Sequence, residues 1–141
     1  MVILEIEWEI ITRIIVAALL GLAIGIQREL RKIKEKTFGV AGMRTHSMLA
    51  MGTALIAAIS VLFFPDDPAR LVASIFTGIG FIGASTVLAT RGRIIGLTNA
   101  ATIWIAAAIG ITAGLNLLAT AIITTIASII ILELKRFEKV D

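Results

Sequence analysis

The stretch that decides the fold is GLAIGIQRELRKIKEKTFGVAGMRTHSMLAMG, residues 21–52. An apolar run ends in QRE at residues 27–29, a basic linker follows, and RTH at residues 44–46 opens the next apolar run. Hydrophobic segments long enough to cross a bilayer flank this polar junction on both sides. We therefore expect a functional site to lie at this junction.

Composition places the chain among polytopic membrane proteins. Hydrophobic residues make up 58% of the 141 residues and charged residues only 16%, and the charges are clustered between long uncharged runs. A soluble domain is usually about 45–50% apolar and about 25% charged. The chain has no cysteine, which excludes a disulfide framework and a thiolate metal site. The basic residues flank apolar runs, as in membrane proteins, so the lipid bilayer and not a nucleic acid is the expected partner.

Five apolar runs predict an all-α membrane protein with five transmembrane helices in a single domain, residues 1–141. A helix needs about 20 apolar residues to cross the hydrocarbon layer. The runs are separated by the PDDP sequence at 65–68, by RGR at 91–93 and by a tight turn at 113–116. The predicted spans are residues 8–26, 45–64, 71–89, 97–112 and 117–132. The alternative is four spans, with one half of 97–132 re-entrant.

The distribution of lysine and arginine predicts the orientation. Eleven of the 13 basic residues fall in the first linker, the third linker and the tail, which share one side in a five-span chain. Because basic residues favour the cytoplasmic side, we expect a cell (inner) membrane protein with its N-terminus outside and its C-terminus in the cytoplasm. Arg13, one turn into the first span, is expected to snorkel outward, with a buried ion pair as the alternative.

Glycines recur at matching places in the first two helix pairs, which suggests two parallel helical hairpins followed by a fifth helix. Small residues let helix backbones approach closely in lipid. A chain of this size has little room to enclose a pathway alone, so we expect a homo-oligomer, most simply a symmetric dimer. The glycines assigned to helix packing are Gly21, Gly25, Gly42, Gly78, Gly80 and Gly83.

Polar residues at the cytoplasmic ends of the spans form the candidate site. Thr45 is expected to cap the second span, and His46 needs a partner because an ionisable residue at that depth is costly. Glu29 is the nearest acid, so a Glu29–Arg44 or Glu29–His46 pair is the hypothesis. Asn99 is a helix cap, an interhelical contact or an ion ligand. The candidate residues are Gln27, Arg28, Glu29, Arg44, Thr45, His46, Thr98 and Asn99.

Acidic residues are missing from the apolar runs. None occurs between positions 9 and 29, between 35 and 66, or between 67 and 133. Magnesium prefers hard oxygen ligands and usually keeps several waters, so a dehydrated magnesium site in mid-membrane is not expected. No catalytic set or phosphate-binding loop is present, so the sequence indicates neither an enzyme nor a bound cofactor.

Four motifs together resemble the membrane domain of the MgtC/SapB family over nearly the whole chain: IGIQRE at 24–29, AGMRTH at 41–46, GIGFIGA at 78–84 and GLTNAATIW at 96–104. The resemblance implies an inner-membrane protein linked to magnesium homeostasis, as a transporter or a transport-associated protein with magnesium as substrate or effector. The alternative that it implies is a non-transporting regulator that binds a membrane protein partner such as the rotary ATP synthase. The family's marked positions fall on Gly25, Arg28, Glu29, Gly42, Arg44, Thr45, Gly80, Gly83, Thr98 and Ala101.

The chain departs from the family pattern in three ways. Gln27 stands where the family usually has glutamate, and RGR at 91–93 stands where an acidic residue is common. Many members also carry a C-terminal soluble regulatory domain, which is not expected here. The first two departures weaken a direct cation-binding role, and the lack of acidic residues in the apolar runs favours the regulator.

Overall fold

Five α-helices and one small β-hairpin make up the computed structural model, which describes residues 2–35, 41–90 and 93–134. The helices are α1 (Val2–Glu35), α2 (Met43–Phe63), α3 (Pro68–Ser85), α4 (Leu97–Gly114) and α5 (Leu118–Glu133). The strands are β1 (Leu88–Thr90) and β2 (Arg93–Ile95), paired antiparallel. The helical membrane fold is confirmed, whereas the hairpin was not predicted.

Four of the helices, α1 to α4, are long and apolar enough to cross a membrane. The fifth, α5, has only 16 residues. At 1.5 Å per residue it is about 24 Å long, less than the roughly 30 Å of a typical hydrocarbon layer. Five spans is therefore one more than helix length and composition support.

Two helices differ from their predicted bounds for identifiable reasons. The first, α1, continues through the charged residues as far as Glu35, because residues 26–35 are mostly good helix formers without proline or glycine. The third, α3, begins at Pro68, where the Asp67 carboxylate accepts a hydrogen bond of 3.3 Å from the Arg70 amide. It ends at Ser85 and not near residue 89, and the isoleucine-containing segment that follows forms the hairpin.

Helices α2 and α4 run parallel through the middle of the bundle. Ala41, just before α2, bonds Asn99 at the start of α4, and Ala54, further along α2, contacts Gly114 at the end of α4. Helix α1 is antiparallel to α2, since Gly21 approaches the His46 carbonyl whereas Gly25 approaches Met43. These are the helix directions that two parallel hairpins require.

The core is built from small side chains. The fully buried alanines include Ala50, Ala54, Ala57, Ala58, Ala106, Ala107 and Ala113. A Cβ atom at Gly110 would collide with the Ala50 carbonyl, and one at Gly114 with the Ala54 carbonyl. Glycine therefore lets the backbones of α2 and α4 touch, which is how helices pack in lipid.

The predicted packing glycines fall into two groups. Added side chains at Gly21, Gly25 and Gly42 would collide with atoms of another segment, and Gly83 lies in ordinary contact with Ala100 and Trp104. Added side chains at Gly78 and Gly80 would meet open space. Within the described residues, these last two glycines therefore do not pack against another helix.

A polar cluster where α1, α2 and α4 meet

The C-terminal part of α1 and the first residues of α2 and α4 come together at one end of the bundle. Asn99 is buried, and its side-chain oxygen accepts a hydrogen bond of 3.1 Å from the Ala41 amide. Gly25 lies against Met43 and the Gly42 carbonyl. Gly96 is the N-cap of α4, so Asn99 is not the helix cap; its side chain instead joins the start of α4 to the segment that precedes α2.

Glu29 on α1 lies against Gly42, the residue that precedes α2. Its carboxylate occupies the space that a side chain at Gly42 would need, next to the N-terminus of the helix. It also pairs with Lys32 at 3.4 Å, and both side chains are partly buried. A carboxylate at a helix N-terminus is stabilised by the helix dipole. The absence of a side chain at Gly42 thus lets Glu29 reach α2.

His46 is fully buried one turn into α2. Its Nδ1 atom lies 2.9 Å from the Gly42 carbonyl oxygen. Since a carbonyl only accepts, Nδ1 carries the proton and donates. The other ring nitrogen, Nε2, is buried and has no hydrogen-bond partner in the described part of the chain. The Arg28 guanidinium lies within electrostatic range of the ring.

Gln27 belongs to a different contact. It is buried, and its Nε2 donates a hydrogen bond of 3.0 Å to the Glu133 carboxylate at the end of α5. Arg31 pairs with the same carboxylate at 2.8 Å. Gln27 therefore joins α1 to the end of α5.

Three predicted site residues point away from the cluster. Arg44, Thr45 and Thr98 are exposed. The N-cap of α2 is Gly42, and no side chain caps that helix, so the expected cap at Thr45 is wrong. The hypothesis of a Glu29–Arg44 or Glu29–His46 pair is not met in the described part of the chain. Glu29 pairs with Lys32 instead, and His46 bonds the Gly42 carbonyl.

Arg13 lies at the other end of the bundle, and the expectation that it snorkels outward is wrong. Its side chain is 9% exposed and pairs with Glu9 at 3.2 Å. It also donates a hydrogen bond of 3.1 Å to the Gly114 carbonyl at the end of α4. A cation at a helix C-terminus is favoured by the dipole. The arginine side chain is therefore buried, but its partner Glu9 is 61% exposed, so the pair is only partly buried.

Sequence reasoning missed the contacts of Arg31 and Glu133. Their positions could have indicated this contact. Glu133 is the first acid after the last apolar run, and Arg31 lies about one helical turn after Gln27. Among residues 2–35, 41–90 and 93–134, no group of three or more His, Cys, Asp or Glu could hold a metal ion. The cluster is thus a set of hydrogen bonds and charges at helix ends.

Apolar helices that pack through glycine and alanine, with charged and polar groups at their ends, define a multi-pass membrane protein. The chain belongs to the MgtC family, whose sequence profile matches residues 14–139. The family resemblance drawn from the four motifs is confirmed.

Three relatives show the extent of the likeness. The chain is 38% identical over 134 residues to YhiD of Escherichia coli (strain K12), which is provisionally named a magnesium transporter; the match covers 89% of this chain and 60% of YhiD. It is 38% identical over 127 residues to MgtC of Salmonella typhimurium (strain LT2), and the match covers 87% of this chain and 52% of MgtC. Protein slr0014 of Synechocystis sp. (strain PCC 6803) is 38% identical over 119 residues, and the match covers 83% of this chain and 48% of slr0014. The chain therefore spans only about half to three-fifths of these relatives. No solved structure matches it.

Proposed function

We propose that this chain acts in magnesium homeostasis as a transport-associated membrane protein, with the polar cluster as its working surface on the cytoplasmic side. The observation that carries the proposal is the convergence of Glu29, His46 and Asn99 around the segment that opens α2. Magnesium is chosen as the ion because YhiD, a relative of this chain, is named for magnesium transport.

The electrostatics of the cluster favour a role other than direct cation binding. Glu29 pairs with Lys32, and Arg28 lies on the same part of α1. The N-termini of α2 and α4 add partial positive charge to this end. A hydrated magnesium ion needs unshared acceptors for its water molecules, whereas the basic neighbours oppose its approach.

Helix packing favours the same conclusion. The backbones of α1, α2 and α4 touch through Gly21, Gly25, Gly110 and Gly114. The space between these helices is filled by buried alanine and isoleucine side chains. The buried hydroxyls of Thr53, Ser60 and Thr102 donate to backbone carbonyls, so the described core offers a hydrated ion few free polar groups.

A second candidate function, regulation of a partner complex such as the rotary ATP synthase, is favoured by the exposed residues at the same end. Arg44, Thr45 and Thr98 lie next to the cluster but face outward, where a partner can reach them. This function also needs no pathway through the chain.

Reconstitution of the purified chain separates transport from regulation. Vesicles that contain only this protein should show no magnesium influx above that of empty vesicles, and co-reconstituted ATP synthase should change its ATP-driven proton pumping. Asn99→Leu should abolish the change in pumping, and Thr112→Val, at the far end of α4, is the control for an altered side chain on the same helix. Magnesium influx by the chain alone would overturn the transport-associated role and establish a transporter.

A further inference from the structure

The β-hairpin between α3 and α4 exposes apolar side chains on both of its faces. Leu88 is paired with Ile95 and Ala89 with Ile94. Directly paired residues share a face, and neighbours along a strand lie on opposite faces. Leu88 and Ile95 therefore occupy one face and Ile94 the other. All three side chains are more than half exposed.

The hairpin lies at the charged end of the bundle. It follows the last residue of α3 and leads into α4 through Gly96, whose φ of 91° makes the sharp entry possible. The Asn99–Ala41 bond fixes the start of α4 beside the start of α2. The hairpin is therefore close to the level at which α1 changes from apolar to charged residues.

Neither water nor the hydrocarbon layer suits this hairpin. A two-stranded sheet has only edge strands, and each outer edge carries unpaired N–H and C=O groups that cannot lie in hydrocarbon. Two apolar faces are unfavourable in water, where an isolated hairpin is at best marginally stable. The boundary between headgroups and acyl chains solvates both kinds of surface.

The charge of the hairpin decides which lipid it fits. The segment 88–95 contains two arginines and no acidic residue. Basic residues near a membrane surface are attracted to anionic headgroups. We propose that the hairpin surface formed by Leu88, Ile94 and Ile95 is an interfacial anchor that inserts among anionic phospholipids. It holds the start of α4, and with it Asn99, at a fixed depth.

The lack of cysteine in the chain makes the test clean, because a single nitroxide can be placed at will. Ile94→Cys and Ile95→Cys are labelled separately and reconstituted in phosphatidylcholine alone or in equal parts of phosphatidylcholine and phosphatidylglycerol. Asp66→Cys, in the exposed α2–α3 turn, is the control for a water-facing label. Collision with oxygen and with a water-soluble nickel chelate reports the depth of each label.

Both hairpin labels should be accessible to oxygen and shielded from the chelate, although they lie on opposite faces. They should also lie deeper in vesicles with phosphatidylglycerol. Replacing both arginines, Arg91→Gln with Arg93→Gln, should remove this dependence on phosphatidylglycerol while leaving the helical circular dichroism unchanged. Labels as accessible to the chelate as the control would overturn the anchor, as would an equal depth in both vesicles. Labels shielded from both reagents would instead reveal a covering protein strand and exclude the lipid.

Discussion

Arg13 and Arg31 lie on one face of α1, about five helical turns apart, and each donates hydrogen bonds to the C-terminal carbonyls of a different helix. Arg13 binds the Gly114 carbonyl at the end of α4, whereas Arg31 lies 3.4 Å from the carbonyls of Leu132 and Glu133 at the end of α5. The two residues therefore hold both ends of the α4–α5 hairpin against α1. Although α5 is short, it extends from the level of Arg13 to that of Arg31.

Removing the Arg13 side chain should destabilise the bundle. Arg13→Gln cannot maintain both the carbonyl bond and the pair with Glu9, and a hydrogen bond to a charged group contributes about 1.5–3 kcal/mol. Arg70→Gln is the control, because that pair with Asp67 is highly exposed and should contribute less than about 1 kcal/mol. Unfolding by denaturing detergent, followed by circular dichroism, measures both. Equal stabilities of the two variants would show that the buried contacts of Arg13 are not important.

His46 should matter more for function than for stability. In His46→Asn the amide can still donate to the Gly42 carbonyl, and its own oxygen replaces Nε2 as a buried acceptor without a partner. A buried unsatisfied group costs about 1–3 kcal/mol in either protein, so the exchange should leave the stability nearly unchanged. Growth in low magnesium should be impaired if Nε2 takes part in the function. Normal growth of a stable His46→Asn strain would remove this residue from the site.

Glu29 and Arg44 should act independently. Glu29 lies against Gly42 and pairs with Lys32, whereas Arg44 is exposed. Glu29→Gln and Arg44→Gln should therefore have additive effects on growth in low magnesium or on partner binding, since residues without a shared contact do not couple. A double variant that loses clearly less than the sum would show that the two residues are coupled in the working protein.

The predicted orientation can be read with reporter fusions. Because Glu133 bonds Gln27, the end of α5 lies at the same end of the bundle as the C-terminal part of α1. Fusions after Lys36 and Asp141 should report the cytoplasm, and a fusion after Asp67 should report the outside. A tail that reports the outside would contradict the orientation.

Gly80 should reveal the predicted homodimer. A Cβ atom at this position meets nothing within 4 Å in the described part of the chain, so Gly80→Leu should fold with normal stability. If α3 packs against a second copy, this variant should lose the crosslinked dimer in membranes, because glycine is what permits close approach. Gly110→Leu is the contrasting variant, since it should unfold the monomer through collision with Ala50. A Gly80→Leu protein that crosslinks as well as the parent would place the dimer contact elsewhere or exclude it.

The sequence was sufficient for those features that depend on local pattern. Hydropathy and the breakers predicted the described helices, and residues 27–29, His46 and Asn99 all lie near one end of the bundle, whereas Arg44, Thr45 and Thr98 are exposed there. The Arg13 contact could not be predicted, because its acceptor is a backbone carbonyl of α4. Every residue has such a carbonyl, so the sequence does not show which one accepts the bond. The hairpin was missed because isoleucine suits a membrane helix and a strand equally well.

The direct contact of α2 with α4 affects how the protein is made, since α3 lies between them in the sequence but at the edge of the bundle. Thr53 on α2 donates a hydrogen bond of 3.1 Å to the Ala107 carbonyl, and the glycines of α4 pack against Ala50 and Ala54. During synthesis this face of α2 emerges well before its partner exists. The small-residue face of α2 must remain unpaired, in the lipid or at the insertion machinery, until α4 enters the membrane and completes the core.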